Sequence, residues 1–174
     1  MIIIGIDPGS RITGFGIIDN QVNKISYVHS GSIRVKGDSL PQRLGDIFSR
    51  VAEVVQQYQP QQMGIENVFM ARNPDSALKL GQARGAAICA AHQAGVEIAE
   101  YAAREVKQAL VGKGAASKDQ VQQMVKRLLG LQQPLQEYEA DGLAIAICHA
   151  QFYASQQKTG IDARLLKRRR SSRR

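Results

Sequence analysis

The chain has 174 residues and a mass of 19.0 kDa, enough for one substantial core but too short for two ordinary domains, which excludes a two-lobed enzyme. Its 44% hydrophobic and 22% charged residues exclude a disordered or fibrous chain. The formal charge of +8 is uneven: residues 164 to 174 hold 7 of the 23 basic side chains and no acid, so the rest of the chain is close to neutral. Like charges at that density repel one another, and the segment reads as a flexible arm able to add salt-sensitive, sequence-blind phosphate contacts. No apolar run approaches the roughly 20 residues that span a bilayer. The stretch Ile2 to Ile6, broken by Gly5 and ended by Asp7, lacks the basic start and small-residue cleavage site of a secretion signal, so a cytoplasmic location is expected. Cys89 and Cys148 lie in Ala/Ile-rich surroundings without CxxC spacing and read as buried, reduced thiols.

In chain order, Met1 to Asp7 is an apolar β run ending at Asp7-Pro8-Gly9, and Gly14 to Asp19 is a second strand. Pro8, Gly9 and Ser10 supply the turn of a hairpin. Lys24 to Val35 is a third strand. From Pro41 to Tyr58, Leu44, Ile47, Phe48, Val51, Val54 and Val55 recur at helical spacing. Met63 to Glu66, with Val68, is then a short buried strand, returned by the helix to run parallel to the first. Ala71 to Asp75 is a loop. Ser76 to Ala94 is a helix rich in Ala and Gly, a composition that predicts close packing. Val96 to Tyr101 is a fifth strand and Ala103 to Leu110 a short helix. Ser117 and Gln120 form a capping box that opens a helix to Leu129. The last helix, from about Glu137 to Tyr153, is apolar nearly all round and hence buried. The fold class is α/β, a five-stranded mixed sheet flanked by helices, with residues 1–157 as the domain and 158–174 as a basic C-terminal tail.

Three carboxylates stand out by position. Asp7 ends the first strand, Glu66 ends the fourth, and Asp141 lies near the start of the last helix. Each alone has a bland explanation: an Asx turn, an exposed strand end, an acid favoured by a helix dipole. Together they differ, because adjacent parallel strands bring residues 7 and 66 to one sheet edge, where α/β sites commonly lie. Acids gathered around one point repel each other unless a cation is present, and hard divalent metals take oxygen ligands. His29, His92 and His149 stand singly in strand or apolar-helix contexts and read as structural, which leaves a serine or cysteine nucleophile without its base.

The blocks Gly5-Ile6-Asp7-Pro8-Gly9-Ser10-Arg11-Ile12-Thr13-Gly14, Glu66-Asn67-Val68-Phe69 continuing through Ser76-Ala77-Leu78-Lys79-Leu80-Gly81-Gln82-Ala83-Arg84-Gly85, and Ala140-Asp141-Gly142-Leu143-Ala144 resemble the crossover junction endodeoxyribonuclease RuvC family. The resemblance runs over residues 1 to about 153. It implies a ribonuclease-H-like fold and a homodimer that binds four-way Holliday junctions. It also implies paired symmetric nicks leaving 5′-phosphate and 3′-hydroxyl ends, in DNA recombination and repair, alongside the RuvA and RuvB branch-migration proteins. The implied cofactor is Mg²⁺, two per active site, with Mn²⁺ as a substitute, held by Asp7, Glu66 and Asp141. The family's acidic motif has two acids three residues apart at the start of the last helix, and Tyr138 stands here in place of the first. Glu137, four residues before Asp141 and so on its helical face, is the substitute ligand, whereas Glu139 points elsewhere.

Lys107 and Lys118 match family lysines near the scissile phosphate. Lys118 carries a signal of its own: a cation in the first turn of a helix opposes the macrodipole unless an anion lies before it, and a phosphate would be that anion. Phe69, in a polar loop, suits stacking on an unpaired base, and Arg72 and Lys79 are further phosphate contacts. Two rivals remain. Asp-x-Gly hairpins also open actin-like ATPases and sugar kinases, which need a second lobe. A catalytically weakened nucleic-acid binder of the same fold draws its support from Tyr138.

Overall fold

The computed structural model describes residues 1–22, 24–68 and 73–159. Five strands and five helices follow the order β1 (Ile2–Asp7), β2 (Ile12–Gln21), β3 (Lys24–Arg34), α1 (Leu40–Tyr58), β4 (Gln62–Glu66), α2 (Pro74–Gln93), β5 (Glu97–Tyr101), α3 (Ala103–Val111), α4 (Lys118–Leu129) and α5 (Glu137–Thr159). They form one mixed sheet in the order β3-β2-β1-β4-β5. β1, β2 and β3 are antiparallel, whereas β4 and β5 run parallel to β1 because helices return them from the far end.

Strand periodicity sorts the side chains into two cores. On one face Ile4, Ile6, Met63 and Ile65 pack with α1 and α2. On the other, Ile3 and Ile18 pack with α5, flanked by α3 and α4. Asp7 shares the parity of Ile3 and Gly5, and Glu66 that of Gly64, so both carboxylates belong to the α5 face. That face has little bulk near α5. A Cβ on Gly5 would fall on the Gly142 carbonyl and the Ala146 amide, and one on Gly16 on the Leu143 backbone. Glycine therefore lets α5 lie almost backbone to backbone on β1 and β2.

Local signals account for most boundaries. Ser39 caps α1 in a box with Gln42, and Gln59, with φ 48°, ends it. Ser117 caps α4 with Gln120, as the sequence predicts. α2 begins at Pro74, two residues before the expected Ser76, because the Asn73 side chain accepts from the Asp75 and Ser76 amides and Pro74 fits the first helical position. α5 continues to Thr159 rather than ending near Tyr153: residues 154 to 159 are polar helix formers, with no glycine or proline before Gly160 to stop them.

Two buried-side-chain expectations need correcting. Cys148 is buried, but Cys89 is exposed, since it lies on the α2 face turned away from the sheet. His149 is buried and bonded on both ring nitrogens, with Tyr101 Oη at 2.8 Å and Gln62 Oε1 at 3.1 Å. Because Gln62 Oε1 only accepts, Nε2 carries the proton and Tyr101 donates to Nδ1. His29 stacks on Tyr58 at 5.2 Å between ring centroids. His92, by contrast, is exposed in the last turn of α2. No helix among the described residues is long and apolar enough to cross a membrane.

Candidate active site

β1 and β4 end side by side, with Ile6 paired to Ile65, so Asp7 and Glu66 emerge together at the carboxyl edge of the sheet. Asp141, in the first turns of α5, reaches the same place because the glycine seam holds that helix down. A Cβ on Gly14 would strike the Tyr138 carbonyl, and one on Gly142 the backbone of Phe15 and Gly16. The three carboxylates line a cavity of about 210 Å³ together with Lys107 from α3 and Lys118 from α4.

The electrostatics follow from this crowding. Burial, then repulsion from Glu66, Asp141 and Glu137, pushes the Asp7 carboxyl up to about 7. Burial raises Glu66 and Asp141 in the same direction, opposed by the charges of Lys118 and Lys107. Lys118 is the cation of this acid cluster. Its Nζ bonds Glu137 and lies 3.6 Å from Asp141 Oδ2. The hydrogen bond to Glu137 raises the Lys118 ammonium above its ordinary value and keeps it charged. The anion that the first turn of α4 calls for is thus supplied here by Glu137 and Asp141, not by a phosphate.

Among the described residues no three His, Cys, Asp or Glu side chains close on one point as a ready-made metal cage. The donor chemistry nonetheless suits a hard cation: carboxylates from three elements converge, and the charges that offset them are the ammonium groups of Lys107 and of the exposed Lys118. Burial first, and then repulsion among the acids, raises these carboxyl groups, and a divalent ion would lower them again.

Of the other sequence candidates, Glu137 sits at the site, whereas Tyr138 is 38% exposed with its backbone carbonyl against β2. Glu139 accepts from the Gln136 amide at 3.3 Å, turned away from the acids. Lys79 is not brought to this cavity; it lies across the sheet and pairs with Asp75 at 2.6 Å. Phe69 and Arg72 lie outside the described residues. One contributor escaped the sequence reading. Arg84 of α2 donates to the backbone carbonyl of Glu66 at 3.0 Å and to Asn67 Oδ1 at 3.1 Å, and pairs with Glu100 at 2.7 Å. Its signal was an arginine embedded among the small apolar residues of α2.

The family model for crossover junction endodeoxyribonuclease RuvC matches residues 3–149. The chain belongs to the RuvC family. The RuvC of Psychromonas ingrahamii is 59% identical over 149 residues, covering 86% of each chain. A structure of Thermus thermophilus RuvC superposes with a TM-score of 0.81 at 37% identity, covering 90% of this chain and 97% of that one. A second, of T. thermophilus RuvC in complex with Holliday junction substrate, gives 0.80 at 34% identity, covering 89% and 96%. Membership in the family settles the fold as ribonuclease-H-like and removes the kinase-like alternative.

Proposed function

We propose that this chain is a structure-selective, metal-dependent endodeoxyribonuclease that resolves four-way Holliday junctions. The observation that carries this reading is the convergence of Asp7, Glu66 and Asp141 from β1, β4 and α5 on one cavity beside Lys107 and Lys118. Asp7, Glu66, Asp141 and Glu137 would hold Mg²⁺, two ions per site with Mn²⁺ able to replace them. Bound there, the metal supplies Lewis-acid charge for attack by water on the phosphodiester and departure of the 3′ oxygen.

The chain's own groups do the remaining work. Asp7 and Glu66, fixed by paired strands, and Asp141, fixed by the seam, set donor positions before any ligand arrives. Lys107 enters from α3 and Lys118 from α4, and both offer an ammonium to a phosphate oxygen. Lys118 pairs here with Glu137 and Asp141, and with a cation held by those carboxylates its ammonium would be free to meet a substrate phosphate. The ends produced are 5′-phosphate and 3′-hydroxyl, which a ligase can reseal.

Resolution into two duplexes needs two symmetric nicks, which a two-fold homodimer supplies. Support comes from α2, where Leu78 is 63% exposed and Gly81 and Gly85 face open space rather than a neighbour within the chain. The RuvA and RuvB proteins as partners, a cytoplasmic location, base stacking by Phe69 and a phosphate contact by Arg72 complete the proposal and rest on family membership.

The test uses a synthetic four-way junction with Mg²⁺ or Mn²⁺. Asp7→Asn, Glu66→Gln and Asp141→Asn should each lower cleavage by about three orders of magnitude or more while junction binding persists, because affinity comes mainly from phosphate contacts elsewhere. Glu137→Gln should reduce the rate strongly and Tyr138→Phe little. Cutting at near wild-type rate by any of the first three variants would remove that carboxylate from the assignment. Absence of cleavage with every divalent metal would favour the non-catalytic binder.

A further inference from the structure

On the opposite face of the sheet from the acid cavity, a second and smaller cavity of about 90 Å³ opens between the β1–β2 turn, the first turns of α1, and α2. Leu44 and Ile47 form its floor, and Ser10, Arg11, Arg43 and Lys79 stand around its mouth. Among the described residues no carboxylate lines it. Its size is far below the roughly 300–1,000 Å³ of pockets for drug-sized ligands and suits a single compact group.

Three features make a lone anion the matching occupant. First, the cations come from three separate elements, so no single amphipathic stripe explains them. Second, Arg43 stands just inside the N-terminal end of α1, a 19-residue helix with no acidic residue in its first turn. A guanidinium there adds to the positive end of the dipole, an arrangement that is unfavourable unless an anion is present. Third, neither Arg11 nor Arg43 has an ion-pair partner among the described residues, whereas Lys79 is shared with Asp75. Guanidinium groups also favour phosphate through their paired N–H donors.

We infer that Arg11 and Arg43, with Ser10 and a lesser contribution from Lys79, hold one backbone phosphate of the DNA strand at a distance from the cleaved bond. The inference rests on the nuclease reading above. The spacing fits it: Arg11 follows Asp7 by four residues, which span at most about 14 Å when extended. At about 3.4 Å of rise per nucleotide, that is a few nucleotides along the strand. The turn Pro8 to Arg11 is also stiff enough to transmit position. The buried Thr13 hydroxyl donates to the Gly9 carbonyl at 3.1 Å and accepts from the Gly9 amide at 3.3 Å. A phosphate held here would fix the register of the strand crossing the edge of β1 between the two faces.

The experiment measures binding of the full-length chain to a four-way junction and to plain duplex in EDTA, from about 50 to 300 mM salt, where each phosphate contact adds about 0.9 to the slope of log K against log salt. Arg11→Gln with Arg43→Gln should weaken both substrates about tenfold and flatten the slope by about one contact, with a melting temperature in the absence of DNA equal to or slightly above that of the wild type. Arg43→Lys in the otherwise wild-type chain should keep most of the slope. Unchanged affinity in the double variant, or weaker affinity with an unchanged slope, overturns the inference. So does stabilisation of the wild type by inorganic phosphate when the double variant still binds DNA normally, which would make the cavity a site for a free anion. A wild type that neither binds nor cuts junctions sinks the nuclease reading itself, a result distinct from all of these.

Discussion

Glycine is concentrated in two places in this molecule, and it does opposite things there. Along the seam between α5 and the sheet, Gly5, Gly14, Gly16 and Gly142 stand where any Cβ would enter a neighbouring backbone. Along the outer face of α2, Gly81 and Gly85 have nothing within reach among the described residues. The first set lets two elements of one chain come close enough to place Asp141 beside Asp7. The second leaves a shallow stretch of helix surface, the face that the proposed homodimer would use. The same residue type therefore reports an internal contact in one helix pair and an unfilled one in the other, and composition alone does not separate them.

The contrast breaks most visibly in the seam. Gly5→Ala should destabilise the protein by about 3 kcal/mol, on the order of 10 °C in melting temperature, and abolish cleavage even in the fraction still folded, because α5 must move and take Asp141 with it. Thermal melts paired with junction cleavage check this, and a stable, active variant would show that the seam has slack. On α2 the equivalent test is a bulky residue. Gly85→Leu should raise the melting temperature of the subunit by no more than a few degrees, through helix propensity, yet weaken self-association at least tenfold, read by sedimentation at micromolar concentration, if that face joins two copies.

A subtler test lies at the acid cluster itself. Asp7 has a folded value near 7 against an ordinary 3.8, so the native state binds its proton more tightly than the unfolded state does. The charged form is the penalised one. Stability from this group is present at acid pH and is lost as pH rises through about 4 towards 7. Asp7→Asn removes the penalty, and in EDTA at pH 8 it should raise stability by roughly 1–3 kcal/mol, a gain that fades to nothing near pH 4. Melts at the two pH values decide it. The smallest effect is expected for Gly81→Ala, where helix propensity alone should add up to about 1 kcal/mol to the subunit.

Much of this arrangement is legible in the residues. Asp7 and Glu66 end apolar runs, and the parallel return of β4 beside β1 follows from the helix between them, so their meeting at one edge is a consequence of topology. The capping box at Ser117 and Gln120 marks the start of α4 to the residue. What sequence does not carry is who answers whom across the fold. Lys118 calls for an anion, yet only the packing of α4 on α5 makes that anion Glu137 and Asp141. Cys89 looks like Cys148 because both sit among alanines; burial depends on which side of α2 meets α1 and the sheet. α5 overruns its expected end because a polar stretch free of glycine and proline can continue a helix that an apolar pattern no longer marks. Arg84 was hidden for a related reason, since its partners are a backbone carbonyl and residues far along the chain.

That arginine has one more consequence. It grips Glu66 by the main-chain oxygen and not by the carboxylate, while Glu100 answers its charge. The strand end is tied down through its main chain, and among the described residues no hydrogen bond or ion pair takes up the side-chain oxygens of Glu66. If the Glu66 carboxylate holds a metal ion as proposed, holding and reacting fall to different atoms of one residue, and the fold positions Glu66 through its main chain.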